Sequence, residues 1–359
     1  TASIALLACT FVINAQMKFV QNKDLGFVKD HIINVWVGDE ALAKNPETFR
    51  LEILKNPRVL DFTASNVLPS YIAGGGPKKQ EDGREFVFYR ARGDHHFLDF
   101  YGVTLLQGRP FSPDHPTDEQ DAVIVNETAV RALGWKDPIG RRLLTDGEPG
   151  DARIIGVVKD FHYHSLNLPV MPLWIRLSRA QNQYFSIKIS SGEVSATMTY
   201  LESVWKKFSP NYPFAYTFMD MRIARMYAEE RTFSKIFVAL SFLAAFLACL
   251  GLVGLSTFTA ERRMKEIGIR RVLGASVPGV AAVLARGFLK WVALAAVAAF
   301  PIAWLAANSW LGRFAYRIKV GWTPLAAALG LALVLAFISV VVQSFRAAAS
   351  NSARTLRNE

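Results

Sequence analysis

The chain has 359 residues, of which 51% are hydrophobic, and a positive mean hydropathy. It is too apolar for an ordinary soluble protein and too polar for a pure membrane bundle, so both kinds of domain are expected. Its formal charge of +11 invites a nucleic-acid reading, yet residues 1–231 hold as many acidic as basic side chains and the excess lies entirely beyond them. The two cysteines, Cys9 and Cys249, fall inside apolar segments, which excludes a disulfide framework and paired ligands.

Thr1–Met17 is apolar and uncharged, without the basic start or cleavage site of a signal peptide. It reads as the C-terminal part of a membrane helix, short for a full span, so the sequence is expected to begin part-way through that helix. Beyond Gln16 and Lys18 the character changes to roughly two hundred residues of mixed polar sequence, enough for a sizeable extramembrane domain. His31–Val37, Glu85–Arg90, Asp121–Val125, Arg153–Val158 and Tyr184–Ser190 are strand-like, several with clear alternation. Pro46–Lys55, Glu127–Leu133 and Val194–Phe208 read as helices. Their irregular order, with turns at Gly74-Gly75-Gly76-Pro77 and Asp137-Pro138-Ile139-Gly140, predicts an α+β domain over about residues 21–231.

From Met219 to Ala260 the helical pattern has no breaker. It begins charged and turns uncharged from Ile236, so it predicts one unbroken stalk entering the bilayer, with Ile236–Thr259 long enough to span. Trp291–Trp310, with Pro301 as a kink, and Pro324–Phe345 are two further spans; with the N-terminal run they make a four-helix transmembrane bundle. Trp291, Trp310 and Trp322 sit at predicted ends, as interfacial aromatics do. Gly251, Gly254 and Ser256 form a small-residue strip suited to helix packing.

Between the second and third spans lies Glu261–Ser276, a basic, helix-compatible segment. At helical spacing Arg263, Glu266 and Arg270 form a polar ridge, with Glu266 ahead of Arg270 at i,i+4. Ile269, Val272 and Leu273 form an apolar stripe, and Met264 with Ile267 a further apolar pair, so the helix has two surfaces to cover. Gly274 can end it and Ser276 can cap the next helix, with Pro278 tolerated in the first turn. Residues 261–290 carry seven Lys/Arg against Glu261 and Glu266, and the tail 346–359 adds Arg346, Arg354 and Arg357. That bias places both inside and the large domain outside. Arg313, Arg317 and Lys319 in the outer 311–322 loop oppose it, three charges against ten. The charge therefore reads as membrane topology, and no nucleic-acid partner is expected.

The run Lys265-Glu266-Ile267-Gly268-Ile269-Arg270-Arg271-Val272-Leu273-Gly274-Ala275-Ser276 resembles the K-E-I-G-I-R-K-x-x-G-A-S signature of FtsX-like permeases, the membrane subunits of MacB-type ABC transporters. Arg271 stands where Lys is common and keeps the charge. Val125-Asn126-Glu127-Thr128-Ala129, Pro138-Ile139-Gly140-Arg141 and Ile155-Gly156-Val157-Val158-Lys159-Asp160 are similar to the N-E-x-x-A, P-I-G-K/R and I-I-G-V-V-x-D pattern of MacB periplasmic core domains. The resemblance implies a core domain with a second subdomain inserted at about 84–178. It implies a coupling helix at 261–276 that docks on a cytoplasmic ABC ATPase, through Glu261, Arg263, Lys265, Glu266, Ile267, Gly268, Arg270, Arg271, Leu273, Gly274 and Ala275. It further implies a second permease copy or half as dimer partner, membrane lipids around the spans, a bacterial inner-membrane location, and a periplasmic adaptor or hydrolase as an outer partner. Export or extraction of antibiotics, peptides or lipoproteins is the implied function. The rival within the same resemblance is a transmembrane signalling subunit that activates cell-wall hydrolases.

Catalytic chemistry of the chain's own is not expected. There is no G-x-x-x-x-G-K-[ST], so ATP belongs on the partner and no cofactor is expected here. No G-x-S-x-G or H-E-x-x-H occurs. Asp160, His162 and His164 alternate, and on a strand they would share a face and could address a metal; the competing reading is a polar strand edge or turn after Val158. The pair His95-His96 would point opposite ways on a strand. A membrane-anchored metalloenzyme built on the first trio is the third hypothesis. The spans hold almost no ionisable residue, only Lys235, Arg286 and Lys290 near ends, where they can snorkel, which disfavours an ion path.

Overall fold

The computed structural model describes all residues except 73–74, 80–84, 145–151, 179–181, 263–268, 270–275 and 350–359. The chain divides into two units, Thr1–Asn22 with Glu229–Glu359, and Lys23–Ala228.

The second unit is built on one mixed sheet of eleven strands: β1 Ile32–Trp36, β2 Val59–Ser65, β3 Gly76–Lys79, β4 Glu85–Gly93, β5 Leu105–Gly108, β6 Ala122–Asn126, β7 Arg142–Leu143, β8 Ala152–Val158, β9 Leu173–Leu177, β10 Tyr184–Ile189 and β11 Tyr216–Phe218. Their order is β11-β1-β10-β2-β4-β9-β6-β8-β5, with β3 beside β4 and β7 beside β8. The first four are antiparallel, whereas β4 with β9 and β6 with β8 are parallel. Between these halves only Ser65 and Gly93 pair.

Each half has its own core. In the first, the period-2 alternation of β1, β2 and β10 puts Ile33, Val35, Phe62, Ala64, Phe185 and Ile187 on one face. Helices Pro46–Ile53 (α3, after the short α2 Glu40–Lys44) and Val194–Phe208 (here α7) cover that face. Phe49 is its centre, stacked on Phe185 at 5.4 Å and edge-on to Phe62, Trp205 and Phe208. In the second, Val123, Val125, Ile154, Val157 and Trp174 pack beneath Ala129 and Leu133 of α6, Glu127–Leu133. Two single-turn helices, α4 Phe97–Phe100 and α5 Asp118–Asp121, complete the links.

The first unit is helical: α1 Ala2–Asn22, α9 Ala228–Arg262, α10 Val277–Leu311 and α11 Trp322–Ala349. Each contains a stretch long and apolar enough to cross a membrane. The first helix runs from Ala2 to Asn22, past the polar Gln16, which is fully buried. One expectation needs correction: the stalk is not one helix. Helix α8, Met219–Met226, stops at Tyr227 (φ −112°, ψ 21°), and α9 starts anew at Ala228. The sequence has no breaker here because the break is tertiary: Tyr227 is buried, and its hydroxyl accepts a hydrogen bond from the Leu166 N–H at 3.0 Å.

Candidate functional site

Helices α9 and α10 are 35 residues each, about 52 Å at 1.5 Å per residue. A hydrocarbon core is roughly 30 Å thick, so both project well beyond it. The segment joining them is the predicted coupling site. Of its residues Glu261 and Arg262 close α9 and are exposed, the Arg262 guanidinium lying 4.7 Å from the centre of the Phe258 ring. Ile269 is 62% exposed, an apolar side chain that nothing described covers. Arg263, Lys265, Glu266, Ile267, Gly268, Arg270, Arg271, Leu273, Gly274 and Ala275 lie outside the described residues. Ser276 caps α10 as its sequence suggests: its backbone is extended (φ −70°, ψ 151°), its Oγ accepts from the Gly279 N–H at 3.3 Å, and Pro278 sits in the first turn.

Small polar side chains lace α1 to α9. Ser3 Oγ donates to the Ala244 carbonyl at 3.0 Å, the Thr10 and Ser241 hydroxyls meet at 2.7 Å, and Ser234 Oγ donates to Asn14 Oδ1 at 2.9 Å. Away from this seam α9 is bare: only 6% of its apolar window is buried, and Phe242, Phe246 and Leu250 face outward. The strip at Gly251 and Gly254 meets no neighbour among the described residues. An apolar cavity of about 280 Å³ opens among the four helices, with Leu7, Leu252, Val292 and Leu335 in its wall.

In the extramembrane unit, the motif residues have architectural work. Asn126, buried, caps α6 by accepting from the Ala129 N–H at 3.0 Å; it also accepts from the Leu173 N–H and donates to the Met171 carbonyl. Asp160 accepts from the Thr128 N–H at 3.0 Å and hydroxyl at 2.7 Å and pairs with Arg131 at 2.5 Å, while its own N–H donates to Glu127 Oε2. The Asn126-Glu127 and Asp160 motifs thus hold each other reciprocally. Gly156 lies so near the Arg109 carbonyl that a Cβ would come within 2.7 Å of its oxygen.

The proposed metal face does not form. Strand β8 ends at Val158, so Asp160, His162 and His164 do not alternate on a strand. No group of three or more His, Cys, Asp or Glu side chains suited to a metal occurs among the described residues. Asp160 is engaged with α6, and His164 packs among Tyr71, Tyr89 and Tyr163. Burial pushes both histidines below their ordinary value, Lys23 adding to the effect at His162. His95 and His96 also leave the strand; their rings lie 4.1 Å apart in the turn before α4.

Against this geometry stand the comparisons with known proteins. The profile of the MacB-like periplasmic core domain matches residues 2–203, more than half of the chain. The chain belongs to the MacB-like periplasmic core domain family. The FtsX-like permease C-terminal domain follows over residues 238–352, so the four membrane-type helices and the mixed α/β domain are those of a MacB/FtsX-type permease. A curated relative, the macrolide export ATP-binding/permease protein MacB of Aggregatibacter actinomycetemcomitans, is 25% identical over 190 residues, 50% of this chain and 29% of that protein. The chain thus spans less than a third of that relative. Among solved structures, the periplasmic region of MacB from Actinobacillus actinomycetemcomitans aligns with 58% of this chain and 98% of its own, at 14% identity and TM-score 0.41. The extracellular domain of the noncanonic ABC-type transporter YknZ from Gram-positive bacteria aligns with 52% and 98%, at 13% identity and TM-score 0.39.

Proposed function

We propose that this MacB/FtsX-type chain is the permease subunit of an ABC transporter, in which a separate cytoplasmic ATPase docks on residues 261–276 and drives conformational change in the outer domain at about residues 21–231. Export or extraction of an antibiotic, peptide or lipoprotein would follow, with the chain embedded in a bacterial inner membrane beside a second permease copy. The observation that carries this reading is the FtsX-like match over 238–352, which encloses the basic segment between two helices too long for the bilayer. The relative's name joins ATP binding and permease in one protein; this chain matches part of it and has no P-loop motif. The exposed Ile269 beside flanking charge is the kind of surface a partner covers.

The test is charge reversal, Arg263→Glu with Arg270→Glu. Breaking a buried, charge-paired contact costs about 3–5 kcal/mol, enough to abolish co-purification of the partner ATPase while the permease still inserts. Unchanged complex formation by the inserted variant would overturn docking at this segment and leave it a topology signal.

A further inference from the structure

The loop between α10 and α11, residues 312–321, joins two membrane spans in ten residues and therefore lies at the bilayer surface. It is held to the bundle. Gln16 of α1, fully buried, donates through Nε2 to the Tyr316 carbonyl at 3.0 Å and accepts from the Ile318 N–H at 2.9 Å. Ile318 and Val320 pack on Val12, Ala307 and Leu311, and the buried Phe314 lies 5.0 Å from Trp310, centre to centre. The loop thus has a period of two. Phe314, Tyr316, Ile318 and Val320 are buried or half-buried, while Arg313, Ala315, Arg317 and Lys319 are exposed.

Three cations consequently share the outward side, framed by Trp310 and by Trp322, which is 82% exposed. No acidic residue occurs in 311–322, and no ion pair to these cations is found among the described residues. Arg317 leans back toward Gly312 and the carbonyls at the end of α10, where a cation is favourable, yet its side chain stays exposed. The charges cannot be explained as a topology signal, because they lie on the opposite side from the basic 261–290 segment and the tail, and so weaken the Lys/Arg bias. We propose that this loop is a binding site for the phosphate headgroups of anionic phospholipids, in the leaflet at the end of the bundle where α1 ends and α9 begins. The aromatics at its two ends set its depth at the headgroups, and the Gln16 bonds fix the backbone so that the loop itself need not be ordered on binding.

The full chain in detergent is titrated with equimolar phosphatidylglycerol and phosphatidylcholine, and retained lipid is read by native mass spectrometry. Each cation near an anionic surface is worth roughly fivefold, so the wild type should retain phosphatidylglycerol by at least about tenfold over phosphatidylcholine. Arg313→Gln/Arg317→Gln/Lys319→Gln should bring the ratio to within about twofold of unity. Ala315→Glu, which leaves all three cations but puts a carboxylate among them, should do the same and guards against misfolding of the triple variant. Lys18→Gln/Arg231→Gln/Lys235→Gln, cations at the same end but off the loop, should leave the preference intact. Equal retention of the two lipids by the wild type, undiminished preference in both loop variants, or an equal loss in the off-loop variant would each overturn the site.

Discussion

At the scale of single residues, Asp160 and His164 show how polar side chains just beyond a strand end serve the fold. If Asp160 serves α6 mainly as a capping acceptor, Asp160→Ala should lose about 1–2 kcal/mol. Asp160→Asn, which can still accept from the Thr128 N–H, should stay within about 0.5 kcal/mol, because the Arg131 partner is largely exposed and such pairs contribute little. Thermal unfolding of both variants decides between cap and charge, and an equal large loss in both would mean the charge dominates. His164 has a buried Nε2 with no hydrogen-bond partner, and burial lowers its affinity for a proton. Because the folded form protonates less readily, the unfolded chain takes up the proton first as pH falls. The His164 contribution is therefore fully present above the ordinary histidine range and is lost as pH drops below about 6.5. Unfolding measured at pH 7.5 and 5.5 should show a larger acid-side fall for the wild type than for His164→Phe, which keeps the contacts with Tyr89 and Tyr163. His162 shifts in the same direction, so removing both histidines should flatten the profile further.

At the scale of elements, two features govern the helices. The Thr10–Ser241 bond joins α1 to the otherwise bare α9. Interhelical bonds of this kind average about 0.6 kcal/mol in membranes, so a double-mutant cycle with Thr10→Val and Ser241→Ala should give a coupling of that order; none at all would show that the seam is held by packing. The break at Tyr227 makes position 229 part of a first helical turn, where an N–H has no intrahelical acceptor. Glu229→Pro should therefore be tolerated with a small loss of stability. Ala239→Pro, in the interior, should cost about 3 kcal/mol or more and reduce the yield of inserted protein. Equal damage from both would mean that α8 and α9 behave as one continuous helix. The buried Tyr227 explains why periodicity alone joined them: a tyrosine is compatible with a helix, and only its bond from Leu166 fixes a different backbone.

For the whole molecule, the orientation is decided by an impermeant thiol reagent on intact cells, with Cys9 and Cys249 replaced by alanine. A cysteine at the exposed Glu202 should react and one at Arg354 should not. The reverse pattern would invert the topology and, with it, the side on which residues 261–276 meet an ATPase.

Local chemistry was legible in the sequence. Helix α6 runs from Glu127 to Leu133 as its pattern predicts, because Asn126 supplies the cap and Gly134, at φ 69°, the left-handed stop. Helix α7 and the five strand-like runs likewise follow from period and propensity, and Ser276 caps the helix it precedes. The membrane character of four segments follows from length and apolarity, which need no partner to be recognised. The sequence by itself also carried the family, through the motifs at 125–129, 138–141, 155–160 and 265–276. The rest belongs to contacts between residues far apart in the chain. Nothing near Gln16 in the sequence shows that its amide is fully buried; residues 316–318, three hundred positions away, supply the backbone groups that make its burial favourable. For Asp160, His162 and His164 the sequence left a shared strand face and a turn after Val158 both open; the strand end at Val158, and the Thr128 N–H, Arg131 guanidinium and three tyrosine rings that take up Asp160 and His164 from across the fold, decide for the turn.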